Sequence, residues 1–448
     1  MAQMQRPFDD PIMERQVFRK MAIRLLPILM LGMFISYVDR ANLGVLAKPM
    51  SLDLGLTAAA FGLAAGLFYI GYLVFEIPSN MMLVKVGARL WIARIMVTWG
   101  IVTMLMSLIQ NEFTLHIMRI LLGVAEAGFS PGVYLFLAFW CPPRMLVRAY
   151  SLVQVSIPIA LAIASALTSS LLLMDGVLGL AGWRWTFLIE GIPAILLAAY
   201  IFFALPDRPG KAKWLTMEEK DYLARSVVQP SASAKQELKH LPQAFRRFSA
   251  WAFSLTYFCM TIGFWAITYF LPTIVQERFK VGAVESGFIS GIPWIISAVA
   301  VILVGRSVAR TGERTWHMVG AMVVAASGLF TASLTDNAVW ALVGITLAAA
   351  GFNAVIPTFW TMPAQVYIGG LAAVSIAMIN SLGNLSGLAG PVVLGFLKDA
   401  TGNTRVGLMI MACFFVAAAA LNFALSRYSD RHAAKAKDSS GDLEASHV

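Results

Sequence analysis

The sequence predicts an all-α membrane protein of twelve transmembrane helices, folded as two pseudo-symmetric six-helix bundles. Three observations carry this: 59% hydrophobic residues against 13% charged, apolar runs recurring at membrane-spanning length, and a short basic turn present in both halves. An ordinary soluble domain is about 45–50% apolar and about 25% charged. With a mean hydropathy of +0.74 over 448 residues, the polar surface that a soluble core needs is missing.

About 20 apolar residues are needed to cross about 30 Å of hydrocarbon. By that measure the spans are 25–47, 58–83, 90–109, 113–140, 147–173, 185–205, 249–275, 284–305, 316–335, 338–362, 371–397 and 405–426. The first run is too long for a signal-peptide core of about 7–15 residues and reads as an uncleaved helix. Of the 34 Lys and Arg, 26 lie in the tails, the even-numbered loops and the adjoining helix ends. Only six, Lys48, Arg184, Arg278, Lys280, Lys398 and Arg405, lie on the opposite side. The positive-inside rule therefore places both termini in the cytoplasm of a multi-pass inner-membrane protein. The net charge of +10 belongs to topology rather than to a nucleic-acid partner. Cys141, Cys259 and Cys413 are far apart with no CxxC or Cys/His cluster, so no metal, cofactor or disulfide is assigned.

Residues 206–247 contain Pro206, Pro209, Pro230, Pro242 and nine basic residues, too polar for the bilayer. They divide the chain into a bundle over 1–205, a cytoplasmic linker over 206–247, a bundle over 248–427 and a disordered tail over 428–448. Thr216 followed by Glu219 has capping-box spacing and predicts a short helix in the linker.

The loop after the second span reads Lys85-Val86-Gly87-Ala88-Arg89-Leu90-Trp91, and the loop after the eighth reads Arg310-Thr311-Gly312-Glu313-Arg314-Thr315-Trp316. Basic residue, Gly, Arg and Trp recur at an offset of 225 residues, and Gly128-Phe129 is echoed by Gly351-Phe352. Duplicated six-helix halves around a midplane site are built for alternating access. Lys85, Gly87, Arg89, Arg310, Gly312 and Arg314 are the candidate cytoplasmic gate.

Twelve spans and this repeated turn resemble the major facilitator superfamily. Tyr37-Val38-Asp39-Arg40-Ala41-Asn42, Phe75-Glu76-Ile77-Pro78-Ser79-Asn80, Gly123-Val124-Ala125-Glu126-Ala127-Gly128-Phe129, Pro206-Asp207-Arg208-Pro209 and Ile379-Asn380-Ser381-Leu382-Gly383-Asn384 are similar to its anion:cation symporter family, especially the tartrate and phthalate branch. The resemblance implies that the matching Asp and Glu carry protons and that the matching arginines, above all the one beside the Asp, face the substrate. One departure stands out: the superfamily's turn usually has an Asp before the basic residue, where this chain has Val84 and Ala309.

A charge at the bilayer centre costs about 2.5 kcal/mol or more, so ionisable residues inside spans are functional candidates. They are Asp39, Arg40, Glu76, Arg119, Glu126 and Glu190, all in the first half; the second half offers neutral Asn353, Asn380 and Asn384. At 1.5 Å rise per residue, Asp39 and Arg40 lie about 10–12 Å from the outer end of their span and Arg119 about 9 Å from the outer end of its own, with Glu126 two turns deeper. Glu76 is placed to pair with Arg89 or Arg94, and Glu190 lies near Arg184.

Two arginines and two carboxylates sum to zero, so an empty site carries no bare charge. Guanidinium stays protonated and grips carboxylates bidentately, which suits Arg40 and Arg119 to an anionic substrate. Burial favours neutral acids and the arginines favour carboxylates, so the protonation of Asp39 and Glu126 responds to occupancy. Proton and anion then favour each other's binding. Arg40 is assigned the substrate carboxylate, Glu126 the main coupling proton, and Asp39 with Arg119 a switchable pair that also titrates. Tyr37 and Tyr72 are candidate substrate donors. Asn380 and Asn384 serve either the pocket or helix packing, since Gly383 and Gly387 flank Asn384 in a GxxxG pattern. Trp265, Tyr269 and Trp360 face either a substrate ring or lipid.

The resulting expectation is a monomeric proton-coupled symporter, not an enzyme, that imports a small organic carboxylate across the lipid bilayer. An anion exchanger or a sodium-coupled carrier is the nearest alternative. A receptor that binds an organic anion without transport is the alternative from another class, and it would need an output module.

Overall fold

The computed structural model describes residues 11–227, 241–367 and 370–445. Twelve helices are long and apolar enough to cross a membrane: Leu26–Leu54, Ala58–Val86, Ala88–Leu108, Glu112–Ala138, Arg148–Met174, Gly182–Ala204, Phe248–Phe279, Ala283–Thr311, Thr315–Leu334, Ala338–Pro363, Val374–Thr401 and Arg405–Arg431. They are spans 1 to 12 in chain order. Twelve crossings put both chain ends on one face, here the terminal face; the other is the far face.

Hydropathy placed these spans closely, and the differences at their ends have local causes. Span 1 passes the expected end at 47 and continues through Lys48 and Pro49 until Gly55, at φ 66°, turns the chain left-handed and stops it. Span 4 is two helices, Glu112–Glu126 and Phe129–Ala138, broken at Gly128 with φ 84°. Span 11 is likewise interrupted between helices Gly370–Asn384 and Ser386–Thr401. Broken helices leave backbone groups unpaired by their own helix, which suits them to lining an internal site.

In the first half span 1 packs on spans 5 and 6, span 2 on span 4, and span 3 on span 6; in the second, span 7 packs on spans 11 and 12, span 8 on span 10, and span 9 on spans 10 and 12. The halves meet along spans 2 and 11, 5 and 8, and 1 and 7. Near the far face these seams are tight. A Cβ on Gly62 would overlap the Pro391 carbonyl, one on Gly395 the Ala58 carbonyl, and one on Gly287 the Ser169 hydroxyl. Small residues allow this backbone approach, the main source of helix affinity in lipid. The carboxylate of Asp399, from span 11, accepts the first amides of span 2, Ala58 N at 3.0 Å and Ala59 N at 2.6 Å. It thereby caps a helix of the other half.

The expected capping box is present: Thr216 accepts from the Glu219 amide at 3.2 Å and Glu219 accepts from the Thr216 amide at 2.9 Å, opening helix Met217–Ser226. Lys20 of the N-terminal helix Pro11–Arg24 pairs with Glu219 at 2.7 Å, and Trp214 stacks on Trp140. Part of the linker, 228–240, lies outside the described residues. The last helix runs Arg405–Ala445.

Candidate functional site

Ser36 and Arg40 are four apart on span 1 and share one face; Asp39 and Asn42, three apart, share another. The first pair meets span 4. Arg40 donates to Oε1 of Glu126 from Nε at 3.0 Å and from Nη2 at 2.8 Å, and the Ser36 hydroxyl donates to the same oxygen at 2.5 Å. Glu126 is the last residue of the helix before the Gly128 break and has no exposure, and its Oε2 has no partner among the described residues. Three rings surround the guanidinium, with centroids at 5.2 Å for Tyr37 and 5.1 Å for Phe68 and Tyr72. Such cation–π contacts strengthen when desolvated.

Arg119 behaves differently from expectation. It makes no ion pair with Asp39; Nε donates to the Ala64 carbonyl at 3.1 Å and Nη2 to the Ala65 carbonyl at 3.4 Å, with Phe68 at 5.1 Å. The small residues of span 2 admit the guanidinium to its backbone, and carbonyl oxygens with a second lone pair satisfy it. Phe68 thus lies between both buried arginines.

Asp39 faces the other way, toward spans 3 and 6. It accepts from the Thr103 hydroxyl at 2.9 Å and from Asn42 Nδ2 at 3.3 Å. The same Asn42 Nδ2 donates to Glu190 Oε2 at 2.7 Å, and Thr168 donates to Glu190 Oε1 at 2.7 Å. Glu190 is not held by Arg184, which reaches the Ser107 carbonyl at 2.6 Å and Asp53.

Glu76 also departs from expectation. Its Oε1 accepts from Asn380 of span 11 at 3.2 Å, across the two halves, and Oε2 is buried without a partner. Arg94 lies over Trp91 at 4.0 Å instead. Asn380 is therefore engaged by the protein's own acid. Around Asn384, Gly383 lies against Tyr257 and Gly387 against Tyr69, while Asn384 itself is half-buried. Trp265 and Tyr269 are buried rather than lipid-facing, with Trp265 at 4.9 Å from Tyr69. Trp360 packs on Tyr257 at 5.0 Å and keeps part of its surface open.

Known proteins agree with this architecture. The family described as the Major Facilitator Superfamily matches residues 29–391. This chain belongs to that superfamily. Members are secondary transporters rather than enzymes. A protein of Agrobacterium vitis, provisionally named a tartrate transporter, is 41% identical over 419 residues, 94% of this chain and 93% of its own. A protein of Acinetobacter baumannii named a quinolone resistance transporter is 38% identical over 89% of this chain and 92% of its own. Among solved structures, a bacterial homologue of the human lysosomal transporter Spinster, inward-facing and unoccupied, superposes with a TM-score of 0.74 at 17% identity, covering 94% of this chain and 99% of that one. That likeness concerns the fold.

The superfamily's repeated turn takes two forms here. In the first copy, Asp207 of the linker supplies a carboxylate to the turn that has Val84 where the superfamily carries Asp. It accepts from the Arg89 amide at 3.0 Å and pairs with Lys211 at 3.6 Å. Gly87, at φ 105°, passes so close that a Cβ would stand 3.0 Å from Asp207 Oδ1. In the second copy, Glu313 caps span 9, accepting from the Trp316 amide at 2.7 Å, and Arg314 donates to Gln365 at 2.7 Å and pairs with Asp430. Arg89 and Arg314 each bind within their own side of the molecule, and Lys85 and Arg310 are exposed. Sequence reading missed Ser36, Asn42, Phe68, Thr103, Thr168 and Asp207. For Ser36 and Asn42 the spacing from Arg40 and Asp39 was a usable signal, whereas the others are joined to the site only by tertiary contact.

Proposed function

We propose that this superfamily member is a proton-coupled symporter that imports a small organic carboxylate across the cytoplasmic membrane by alternating access. The observation that carries the reading is the Arg40–Glu126 pair: a permanent cation ringed by Tyr37, Phe68 and Tyr72, neutralised by an acid with one free oxygen. A proton added at Glu126 Oε2 breaks none of the three hydrogen bonds to Oε1 but removes the charge that holds Arg40. The guanidinium is then free for a carboxylate of the substrate. When Glu126 ionises again it competes for Arg40 and the anion leaves. Proton and anion thus assist each other by linkage.

Asp39 titrates as a second coupling group, and Arg119 supports the positive field from its seat on span 2. Tyr37, Tyr72 and Trp360 line the substrate's surroundings, with Asn380 and Asn384 on span 11 facing it from the other half. Lys85, Gly87, Arg89, Arg310, Gly312 and Arg314 form the gate at the terminal face, which the 26-to-six bias of basic residues assigns to the cytoplasm. The A. vitis relative's name supports a hydroxylated dicarboxylate as cargo.

Uptake of a panel of labelled carboxylates into proteoliposomes, with and without an imposed pH gradient, tests this. Accumulation of one carboxylate above equilibrium only with inward proton force is the expected result. Gradient-independent countertransport would make it an exchanger, a sodium requirement a sodium-coupled carrier, and binding without flux a receptor.

A further inference from the structure

Asp39 and Glu190 are two carboxylates in one membrane-embedded cluster, 2% and 6% exposed. Asn42 joins them, giving Nδ2 to both, and the remaining donors are the neutral hydroxyls of Thr103 and Thr168. No Lys, Arg or His forms an ion pair with either acid among the described residues. The buried and half-buried basic groups of these elements are engaged elsewhere. Arg40 of span 1 turns to Glu126; Arg119 of span 4 is held by Ala64 and Ala65; Arg184 of span 6 binds Ser107 and Asp53; Arg94 of span 3 lies over Trp91. Span 5 contributes Thr168 here, and span 2's acid, Glu76, is engaged by Asn380.

A second observation points to what is missing. Asn42 is 1% exposed, and its Oδ1, bonded to the same carbon as the bridging Nδ2, has no donor. An unpaired buried acceptor costs about 1–3 kcal/mol. Two ionised carboxylates sharing one amide add repulsion that a low-dielectric interior does not screen. One hydrogen ion bound to either acid removes a negative charge, and with it the repulsion between the two, and turns that acid into an O–H donor. It also narrows the charge imbalance. Arg40 and Arg119 against the buried Asp39, Glu76, Glu126 and Glu190 sum to −2, and one proton on the pair brings these six groups to −1.

We propose that Asp39 and Glu190, bridged by Asn42, hold between them one transported proton additional to that on Glu126, which makes Glu190 a coupling residue. The inference rests on the proton-coupled reading above. The proton enters from the far-face solution onto a Glu190 carboxylate oxygen, forming an O–H bond. It then passes to Asp39, the Glu190 O–H bond breaking as an Asp39 O–H bond forms, and is released to water at the terminal face, leaving both acids ionised. Asn42 and Thr168, which hold Glu190, lie toward the far-face ends of their spans relative to Asp39, so Glu190 is the acid of the pair nearer that face.

The test is the number of protons moved per substrate, obtained from the substrate ratio at which net flux vanishes under set pH and voltage gradients. In Glu190→Gln the pair loses its like-charged neighbour, Asp39 stays ionised through the cycle, and one fewer proton moves. Each proton multiplies accumulation by about tenfold per pH unit, so the limiting ratio falls about tenfold. An unchanged proton number in this variant overturns the proposal. Should the variant fail to assemble, infrared spectra of the wild-type protein in lipid decide. A protonated-carboxyl band at neutral pH that shifts in Asn42→Ser supports the pair, and absence of such a band, or one indifferent to Asn42, overturns it. The infrared arm needs no substrate, so a wild-type protein that moves no carboxylate would refute the proposed function separately.

Discussion

At the scale of single residues, charge in this protein is settled atom by atom. Arg40 and Arg119 are the same residue type, both buried, yet one meets a carboxylate and the other only backbone carbonyls. Their roles separate accordingly. Arg40→Lys keeps the charge but loses the planar fork and the ring stacking, so substrate affinity should fall by at least about tenfold, one lost charge-assisted hydrogen bond, as read by equilibrium binding of the transported carboxylate. Glu126→Gln leaves Arg40 permanently released: countertransport of labelled anion should continue while accumulation driven by a pH gradient disappears. Full uphill uptake by that variant would remove Glu126 from coupling. Asp39→Asn, by contrast, should leave the Arg40–Glu126 bond intact, because Asp39 points to the opposite side of span 1.

At the scale of elements, the polar segments at the terminal face are tied down by identifiable acids. Asp207 brings a carboxylate from the linker to the first basic turn, where Val84 stands in place of an Asp. Removing it in Asp207→Ala should cost about 1–2 kcal/mol, the range for a charge-assisted bond in a half-buried site, seen as faster hydrogen exchange at Arg89. The linker helix Met217–Ser226 depends on Glu219. Burial raises its carboxyl, but the Lys20 ammonium and the Thr216 amide outweigh that and leave it below the ordinary glutamate range. A depressed folded value means the Lys20–Glu219 contact contributes stability above the unfolded value, about 4.3, and loses it as pH falls through the lower folded one. Lys20 is partly exposed, so Lys20→Ala should loosen the helix by less than about 1 kcal/mol. Exchange measured over Met217–Ser226 at neutral pH checks the size.

At the scale of the whole molecule, the two halves are held by small residues at one face and by sparser polar contacts toward the other. Gly395→Val drives a side chain into the Ala58 carbonyl. Overpacking of this kind costs about 1–3 kcal/mol and falls on the conformer with the far face sealed. The population should shift toward opening there, raising the labelling of a cysteine introduced at Asn42 by a membrane-impermeant thiol reagent. Unchanged labelling would mean that the span 2–span 11 seam does not set the balance. The division between halves is equally global: among the described residues the spans of the first half carry the buried ionisable groups, and the buried polar groups of the second are neutral.

Twelve spans, the repeat and the list of buried charges were all legible in the chain, because a lipid solvent penalises charge and rewards apolar length strongly enough to leave a one-dimensional record. Even Ser36 and Asn42 could have been found from helical spacing. What the chain did not reveal is which charge meets which: that Arg119 turns to Ala64 and Ala65, that Glu76 crosses to Asn380, and that Glu190 joins Asp39 through Asn42. Those choices depend on the rotation of each helix about its axis and on which helices a glycine lets approach, and both are set by packing among residues far apart in sequence. Pairing of charges in a membrane is a property of that packing, and only the folded molecule decides it.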